Sequence, residues 1–320
     1  GKILHFGFLA GAAAKALGLN ASDFIVASTG VIGQTLPVGV IVDGIPALVS
    51  ALNPDGSQDA AAAIMTTDTV LKEYAVETTI GGRAVRIGGI AKGSGMIHPN
   101  MGTMLCFITT DCAISAEMIK KALLETVTVS FNRISVDGDT STNDMCSLMA
   151  SGLAGNAYIK GDCEDYTAFA AALKELCVKL AVVMASDGEG ATHLITCTVS
   201  GASDIATAET LSKSVISSTL TKAAIFGADA NWGRVLCAMG YSGIEFDPEK
   251  VSVTFQSSAG SVHVCQNGRG LDFDEALAKK ILTEHDITIA VDIASGTAEC
   301  TCWGCDITYD YIRINGDYRT

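Results

Sequence analysis

The spacing of apolar residues changes period repeatedly along this 320-residue chain, and each change marks an element. The Ala-rich opening, "GKILHFGFLAGAAAKALG", has helical spacing and ends near Gly18. "DFIVAST" (23–29) reads as a strand running into the loop "GVIGQTLP". "AAAIMTTDTVLKEYAVETTI" starts helical and finishes extended, and "GGRAVRIGGIAKGSGMI" reads as a strand between glycine turns. "TMLCFITTD" is a buried strand. "SAEMIKKALLETVTVSFNRI" is an amphipathic helix with Ser115 as its N-cap and Glu117 in its first turn.

Further along, Ser141 with Asp144 three residues on predicts a capping box that opens a helix. An EF-hand reading of the same stretch fails, because glycine is absent at loop position six and glutamate at twelve. "DYTAFAAALKELCVKLAVVMASDG" is a helix and "HLITCTVSG" a strand. After them come a helix over 203–223, the loop "FGADANWGR", a hairpin-like pair over 251–265, a helix over 273–284 and three terminal strands. Helices grouped with runs of strands, without strict βαβ alternation, predict a layered α+β fold. The pattern contains no linker, repeat or low-complexity tract.

Composition narrows the range of functions. The chain is 48% hydrophobic and 18% charged, which suits a well-buried globule rather than disorder. Its net charge of −14 repels phosphate backbones and anionic lipid, which argues against nucleic-acid and membrane partners. Eleven cysteines, an odd number set in apolar runs, suit buried thiols in a reducing compartment. Cys300, Cys302 and Cys305 alternate without a second ligand pair, so they read as strand residues rather than a metal site. The opening stretch has features of a signal peptide, but His5 interrupts the run and Lys15 follows it, which favours an ordinary helix. No stretch is apolar for long enough to span a bilayer. A first residue other than methionine reads as the start of a fragment.

"HPNMGTMLCFITTDC" (98–112) is the stretch with most chemical potential. Thr103 stands where a loop containing Pro99 and Gly102 meets an apolar strand. It reads either as a strand-opening residue or as a nucleophile hidden in a peptide bond. A threonine hydroxyl can attack the preceding carbonyl, and water then cleaves the resulting ester. The new N-terminal threonine carries an amine that titrates near ~7.7–8.0 and can act as its own general base. Gly102, lacking a Cβ, permits the close approach.

"ASTGVIG", "AKGSGMIHPNMGTML", "VDGDTSTND", "DGEGAT", "FGADANWGR" and "CDITYDYIRING" occur in order from about residue 20 to the C-terminus. Together they resemble the ornithine acetyltransferase family, self-cleaving N-terminal-nucleophile enzymes of arginine biosynthesis. The family usually has alanine where this chain has Gly102, and it carries further residues ahead of "STG" that this chain lacks. The resemblance implies an α/β/β/α sandwich and a cytoplasmic enzyme. It also implies cleavage at Gly102–Thr103 into an α subunit (1–102) and a β subunit (103–320), assembled as α2β2.

Residue by residue, the resemblance makes Thr103 the nucleophile and Thr29 and Gly30 the oxyanion hole. Thr66, Lys92, Thr103, Glu189, Asn315 and Thr320 become the substrate contacts, with Lys92 and Glu189 holding opposite charges of an amino acid. Without the family, "STG" reads as a turn, Lys92 as a solvated lysine and Glu189 as a helix-end acid. Asn231 and Arg234 read as structural. The activity implied is ping-pong acetyl transfer from N-acetylornithine to glutamate through an acetyl-Thr103 ester, without metal or cofactor. Rival readings are use of acetyl-CoA as acetyl donor, hydrolysis by the same nucleophile as an amidase or aminopeptidase, and non-catalytic binding of acyl-amino acids.

Overall fold

The computed structural model describes residues 2–31, 33–98 and 104–317. Their contacts divide the chain into two compact units, the first reaching to Ile64 and the second covering Met65–Gly316. In the first unit the Ala-rich opening forms α1 (Lys2–Leu17). It packs against α2 (Val38–Ala51), with Leu9, Ala10, Ala14 and Ile45 buried, and α3 (Ser57–Ala63) follows. The expected strand over 23–29 does not form: Ala21–Asp23 is a 3-10 turn and the chain beyond it is irregular. Apolar, β-branched residues suit a strand only where a neighbouring strand can take up the backbone hydrogen bonds, and among the described residues every strand of the two sheets belongs to the second unit.

The second unit carries two sheets. The first has the order β1-β2-β3-β5, from β1 (Lys72–Ile80), β2 (Arg83–Lys92), β3 (Leu105–Thr110) and β5 (Met145–Ala150); the short β4 (Ile134–Ser135) joins the other sheet. β1, β2 and β3 are antiparallel neighbours, whereas β3 and β5 run parallel, Leu105 opposite Met145. On β1, Tyr74, Val76 and Ile80 face the core while Glu73 and Glu77 face solvent, the two-residue alternation of a half-buried strand. The core side is covered by α4 (Ala116–Val129), capped by Ser115 through Met118 N, and by α5 (Glu164–Ser186). Tyr166, Phe169, Leu173, Leu176, Leu180 and Met184 recur every three or four residues, so α5 buries one continuous stripe.

The Ser141–Asp144 signal does not open a helix. The Ser141 hydroxyl accepts from Asn143 N, two residues on, and the chain then extends into β5. A partner strand 40 residues earlier prevails over a local cap, because pairing with β3 satisfies the backbone of the whole segment.

The second sheet is built from β4, β6 (Leu194–Ala202), β7 (Ser252–Ser257), β8 (Gly260–Gln266), β9 (Arg269–Gly270), β10 (Asp286–Asp292) and β11 (Ala298–Cys305), in the order β4-β11-β6-β10-β7-β8-β9. Its core face carries Ile195, Cys197, Val199, Ile289 and Cys302 against α6 (Ile205–Ser217), α8 (Trp232–Gly240) and α9 (Glu275–Leu282). The helix expected over 203–223 is two helices, because Ser218 leaves the helical conformation and caps α7 (Thr219–Phe226) through Thr221 N. The expected loop 226–234 gives way to α8 at Trp232, with Asn231 as the cap. Beyond β11 the third expected strand is instead α10 (Tyr309–Asp317), started by Thr308, whose hydroxyl accepts from Tyr311 N. Two sheets with helices packed on them make the mixed α+β architecture that the pattern predicts.

Candidate active site

β2 leaves its sheet at Lys92, whose side chain is buried rather than solvated. Its ammonium donates to Thr66 Oγ1 at 3.0 Å. Burial holds the pKa below the usual lysine range; Asp68, Glu189 and Asp144 pull it back up, and Lys72 adds to the depression. With one neutral acceptor among the described residues, the ammonium keeps donors for an anion.

Glu189 stands in the tight loop after α5 and is buried. Its backbone N–H donates to Ser94 O at 2.8 Å, which ties the loop to the end of β2. The carboxylate accepts from Thr67 Oγ1 at 2.8 Å and from Asn315 Nδ2 of α10 at 2.7 Å. Since Thr67 donates its proton to Glu189, Ser94 must donate to Thr67 Oγ1 across their 2.7 Å contact. Two glycines make this packing feasible. A Cβ on Gly95 would lie closer than 3.0 Å to the Glu189 carboxylate. Gly190 has φ +67°, and a Cβ there would meet Tyr311 N at 2.7 Å.

The turn carrying Thr66 and Thr67 rests on a buried charge group. Lys72 Nζ donates to Asp68 Oδ1 at 2.7 Å and to Asp187 Oδ2 at 2.5 Å, all three side chains being almost fully excluded from solvent. Asp187 also accepts from the amides of Thr69 and Val70 and from the Thr69 hydroxyl. Burial pushes the Asp68 carboxyl up, but Lys72 and the amides of Gly93 and Thr66 outweigh it and leave the pKa lowered. Removing Lys72 would leave two buried carboxylates without their cation, a loss of about 3–5 kcal/mol.

A second carboxylate shapes the approach to residue 98. Asp137 accepts from Met96 N at 2.6 Å, from Ile97 N at 3.0 Å and from Tyr311 OH at 3.3 Å. Burial raises its pKa against the pull of those amides. Thr140 donates to His98 O at 2.8 Å, and His98 Nδ1 lies 2.9 Å from Ser135 Oγ.

Thr66, Lys92, Glu189 and Asn315 therefore meet at one place, with Thr67 linking the threonine pair to the acid. Thr29 and Gly30 belong to the first unit, in its irregular segment; both are exposed, and the space beside Gly30 Cα is open. Gly102, Thr103 and Thr320 lie outside the described residues. Asn231 caps α8 through Arg234 N, and Arg234 donates to Leu220 O, so both hold the α7–α8 connection. Cys300, Cys302 and Cys305 all sit buried on β11, and among the described residues no three His, Cys, Asp or Glu side chains converge as a metal site. No described helix is long and apolar enough to cross a membrane.

The sequence motifs bracketing this group extend along nearly all of the chain, and the ArgJ family model matches residues 7–320. The chain belongs to the ArgJ family. The arginine biosynthesis bifunctional protein ArgJ of Symbiobacterium thermophilum is 51% identical over 308 residues, covering 96% of this chain and 76% of that protein. ArgJ 1 of Clostridium acetobutylicum is 50% identical over 307 residues, covering 96% and 75%. The crystal structure of the Bacillus halodurans ArgJ protein aligns with a TM-score of 0.63 at 43% identity, covering 66% of this chain and 98% of that one.

Several members of this cluster escape a reading of the sequence. Thr67 stands beside Thr66 in "MTTDT", and nothing local says which of the two reaches Glu189. Ser94, Asp68 and Asp187 have partners more than 20 residues away. The available signal was chemical: Lys72 falls on the core-facing side of the alternating strand β1, and a buried lysine calls for carboxylates.

Proposed function

We propose that this ArgJ family protein transfers an acetyl group from N-acetylornithine to glutamate by a ping-pong route. It first cuts itself between Gly102 and Thr103 into an α fragment (1–102) and a β fragment (103–320). The observation that carries the reading is the buried pair of opposite charges: Lys92, with donors to spare, and Glu189, held by Thr67 and Asn315. A single α-amino acid presents a carboxylate and a nitrogen, and one such pair suits both the leaving ornithine and the entering glutamate.

In the proposed cycle Thr103 Oγ attacks the acetyl carbonyl while the Thr103 amine takes its proton. The tetrahedral oxyanion is held by the Thr29 hydroxyl and the Gly30 amide, two donors of a kind that together contribute several kcal/mol. Collapse expels ornithine, whose nitrogen takes the proton from the Thr103 amine. The nitrogen of glutamate then attacks the ester and regenerates the Thr103 hydroxyl. No bound group need carry the acetyl, because the threonine itself does.

One feature supports the cut: β2 pairs with β3 from Ile87↔Thr110 to Lys92↔Leu105, so the fragments on either side would remain one sheet after cleavage. An α2β2 assembly and a cytoplasmic setting belong to the same proposal. The relatives are named bifunctional, which favours acetyl-CoA as a second acetyl donor.

Product analysis with N-acetylornithine, in the presence and absence of glutamate, tests the reading. Ornithine and N-acetylglutamate should appear in equal amounts, and only when glutamate is present. Acetate released at the same rate without glutamate would make the protein a hydrolase. A denaturing gel should show two bands, one with the N-terminal sequence TMLCF, and Thr103→Ala should show one.

A further inference from the structure

The buried charge group beneath the site does not balance within itself. Asp68 and Asp187 are two carboxylates around one ammonium, Lys72, and all three side chains are almost fully shielded from solvent. One negative charge is left over where an uncompensated ion is costly. Lys92, buried at the end of β2, has the opposite need. Among the described residues its ammonium has one hydrogen-bond partner, the neutral Thr66 hydroxyl. Counted together, Lys72 and Lys92 balance the two carboxylates.

Asp68 is the member placed to couple them. Its Oδ1 accepts from Lys72 Nζ and also, at 2.7 Å, from Gly93 N, the amide directly after Lys92. Its Oδ2 accepts from Thr66 N at 3.2 Å, and Thr66 Oγ1 in turn accepts from the Lys92 ammonium at 3.0 Å. One carboxylate thus fixes the backbone at the root of the Lys92 side chain and the residue that receives its tip. Asp187 makes neither contact; its bonds come from Lys72, the amides of Thr69 and Val70 and the Thr69 hydroxyl.

Resting on the role given to Lys92 above, we infer that Asp68 is the positioning residue of the amino-acid site. It supplies the fixed negative charge that keeps the Lys92 ammonium charged and aimed while the site is empty. When substrate enters, its carboxylate takes the donors that Lys92 has kept, and its nitrogen meets Glu189. Both Asp68 oxygens are already engaged, so Asp68 acts through Lys92 and Thr66 and exchanges no proton with substrate.

The electrostatics agree with this assignment. Burial pulls the Lys92 pKa below the usual lysine range, and the Asp68 carboxylate is the strongest of the charges that oppose it. The others facing the ammonium are Glu189 from the loop after α5 and Asp144 from just ahead of β5, which raise it, and Lys72 from β1, which lowers it. Lys72 and the amides of Gly93 and Thr66 hold the Asp68 carboxyl below its own usual value, so its charge is present at neutral pH.

The test is the titration of Lys92, followed by ¹³C NMR of protein labelled at lysine Cε, its signal being the one lost in Lys92→Arg. Asp68→Asn keeps the shape and removes the charge, so burial prevails and Lys92 should titrate about one unit or more lower. Asp187→Asn takes an equal charge from the same group without touching Gly93 or Thr66, and should move Lys92 much less. Affinity is read as the N-acetylornithine concentration giving half-maximal Thr103 acetylation. Between the wild-type and Asp68→Asn titrations the variant should bind up to about tenfold more weakly, and below both the two should bind alike. An unmoved Lys92 signal, an equal shift in Asp187→Asn, or binding weakened by one factor at every pH overturns the assignment. If Asp68→Asn does not fold, combining it with Lys72→Met removes a matched pair and leaves Asp187 its amide and hydroxyl donors. Lys92 should then still titrate lower, though by less, because Asp68 outweighs Lys72 in acting on it, and no fall overturns the assignment. The NMR reading needs no turnover, so a protein that fails to transfer acetyl overturns the proposed function and leaves the charge assignment to its own titration.

Discussion

Replacing Gly95 by alanine separates the cost of moving Glu189 from the cost of unfolding. The new methyl would lie closer than 3.0 Å to the Glu189 carboxylate, a flexible end that can move away. Moving breaks its contacts with Thr67 (2.8 Å) and Asn315 (2.7 Å). A hydrogen bond to a charged group contributes about 1.5–3 kcal/mol, but Asn315 is exposed and water replaces its lost partner. The stability loss should therefore stay at about 1–2 kcal/mol, a fall in Tm of roughly 2–8 °C. Binding should suffer more. A displaced partner in a desolvated charge pair costs ~2–5 kcal/mol, or about 30-fold or more in affinity. Gly190→Ala makes the converse case, since its Cβ would meet the backbone of Tyr311 and the residue sits at φ +67°. Left-handed strain of ~1–2 kcal/mol and overpacking of ~1–3 kcal/mol make it the more destabilising change. Thermal unfolding, read beside the N-acetylornithine concentration giving half-maximal Thr103 acetylation, compares the two. Should Gly95→Ala bind within threefold of wild type, Glu189 does not hold the substrate. Should it unfold more easily than Gly190→Ala, the steric reasoning is wrong.

Glu189→Gln should keep self-cleavage but weaken amino-acid binding by about 2–5 kcal/mol, and loss of cleavage with unchanged affinity would contradict the role. Thr29→Ala should slow single-turnover acetylation by about 10²–10³ with a nearly constant Kd and an unchanged Tm, whereas an unchanged rate would return "STG" to a plain turn. The pH dependence of stability isolates Asp144. Its folded pKa of about 7 lies above the ordinary carboxyl value near ~3.9, so the folded state holds the proton more tightly. This contribution is fully present below pH ~4 and is lost as pH rises towards about 7. In the uncut Thr103→Ala background, adding Asp144→Asn should therefore raise Tm more at pH 8 than at pH 5, and an equal gap at both would refute the shift.

Where one segment carries its own signal, the sequence alone determines the outcome. The apolar stripe of α5, the alternation along β1 and the Ser115 cap all depend on neighbours within four residues, and all were legible. The motifs also pointed to Thr66, Lys92, Glu189 and Asn315, which the fold brings to one place. Tertiary structure alone decided the rest. "DFIVAST" has strand-forming residues but, among the described residues, pairs with no strand, while residues 145–150 extend because β3 stands ready to pair. The contact between Thr67 and Glu189 spans 122 residues, and that between Lys72 and Asp187 spans 115. Helix and strand periods repeat over a few residues and encode which face is apolar. Which distant carboxylate meets a buried ammonium, and which lines a cavity, follows from sheet register and helix packing, and the local pattern holds no record of either.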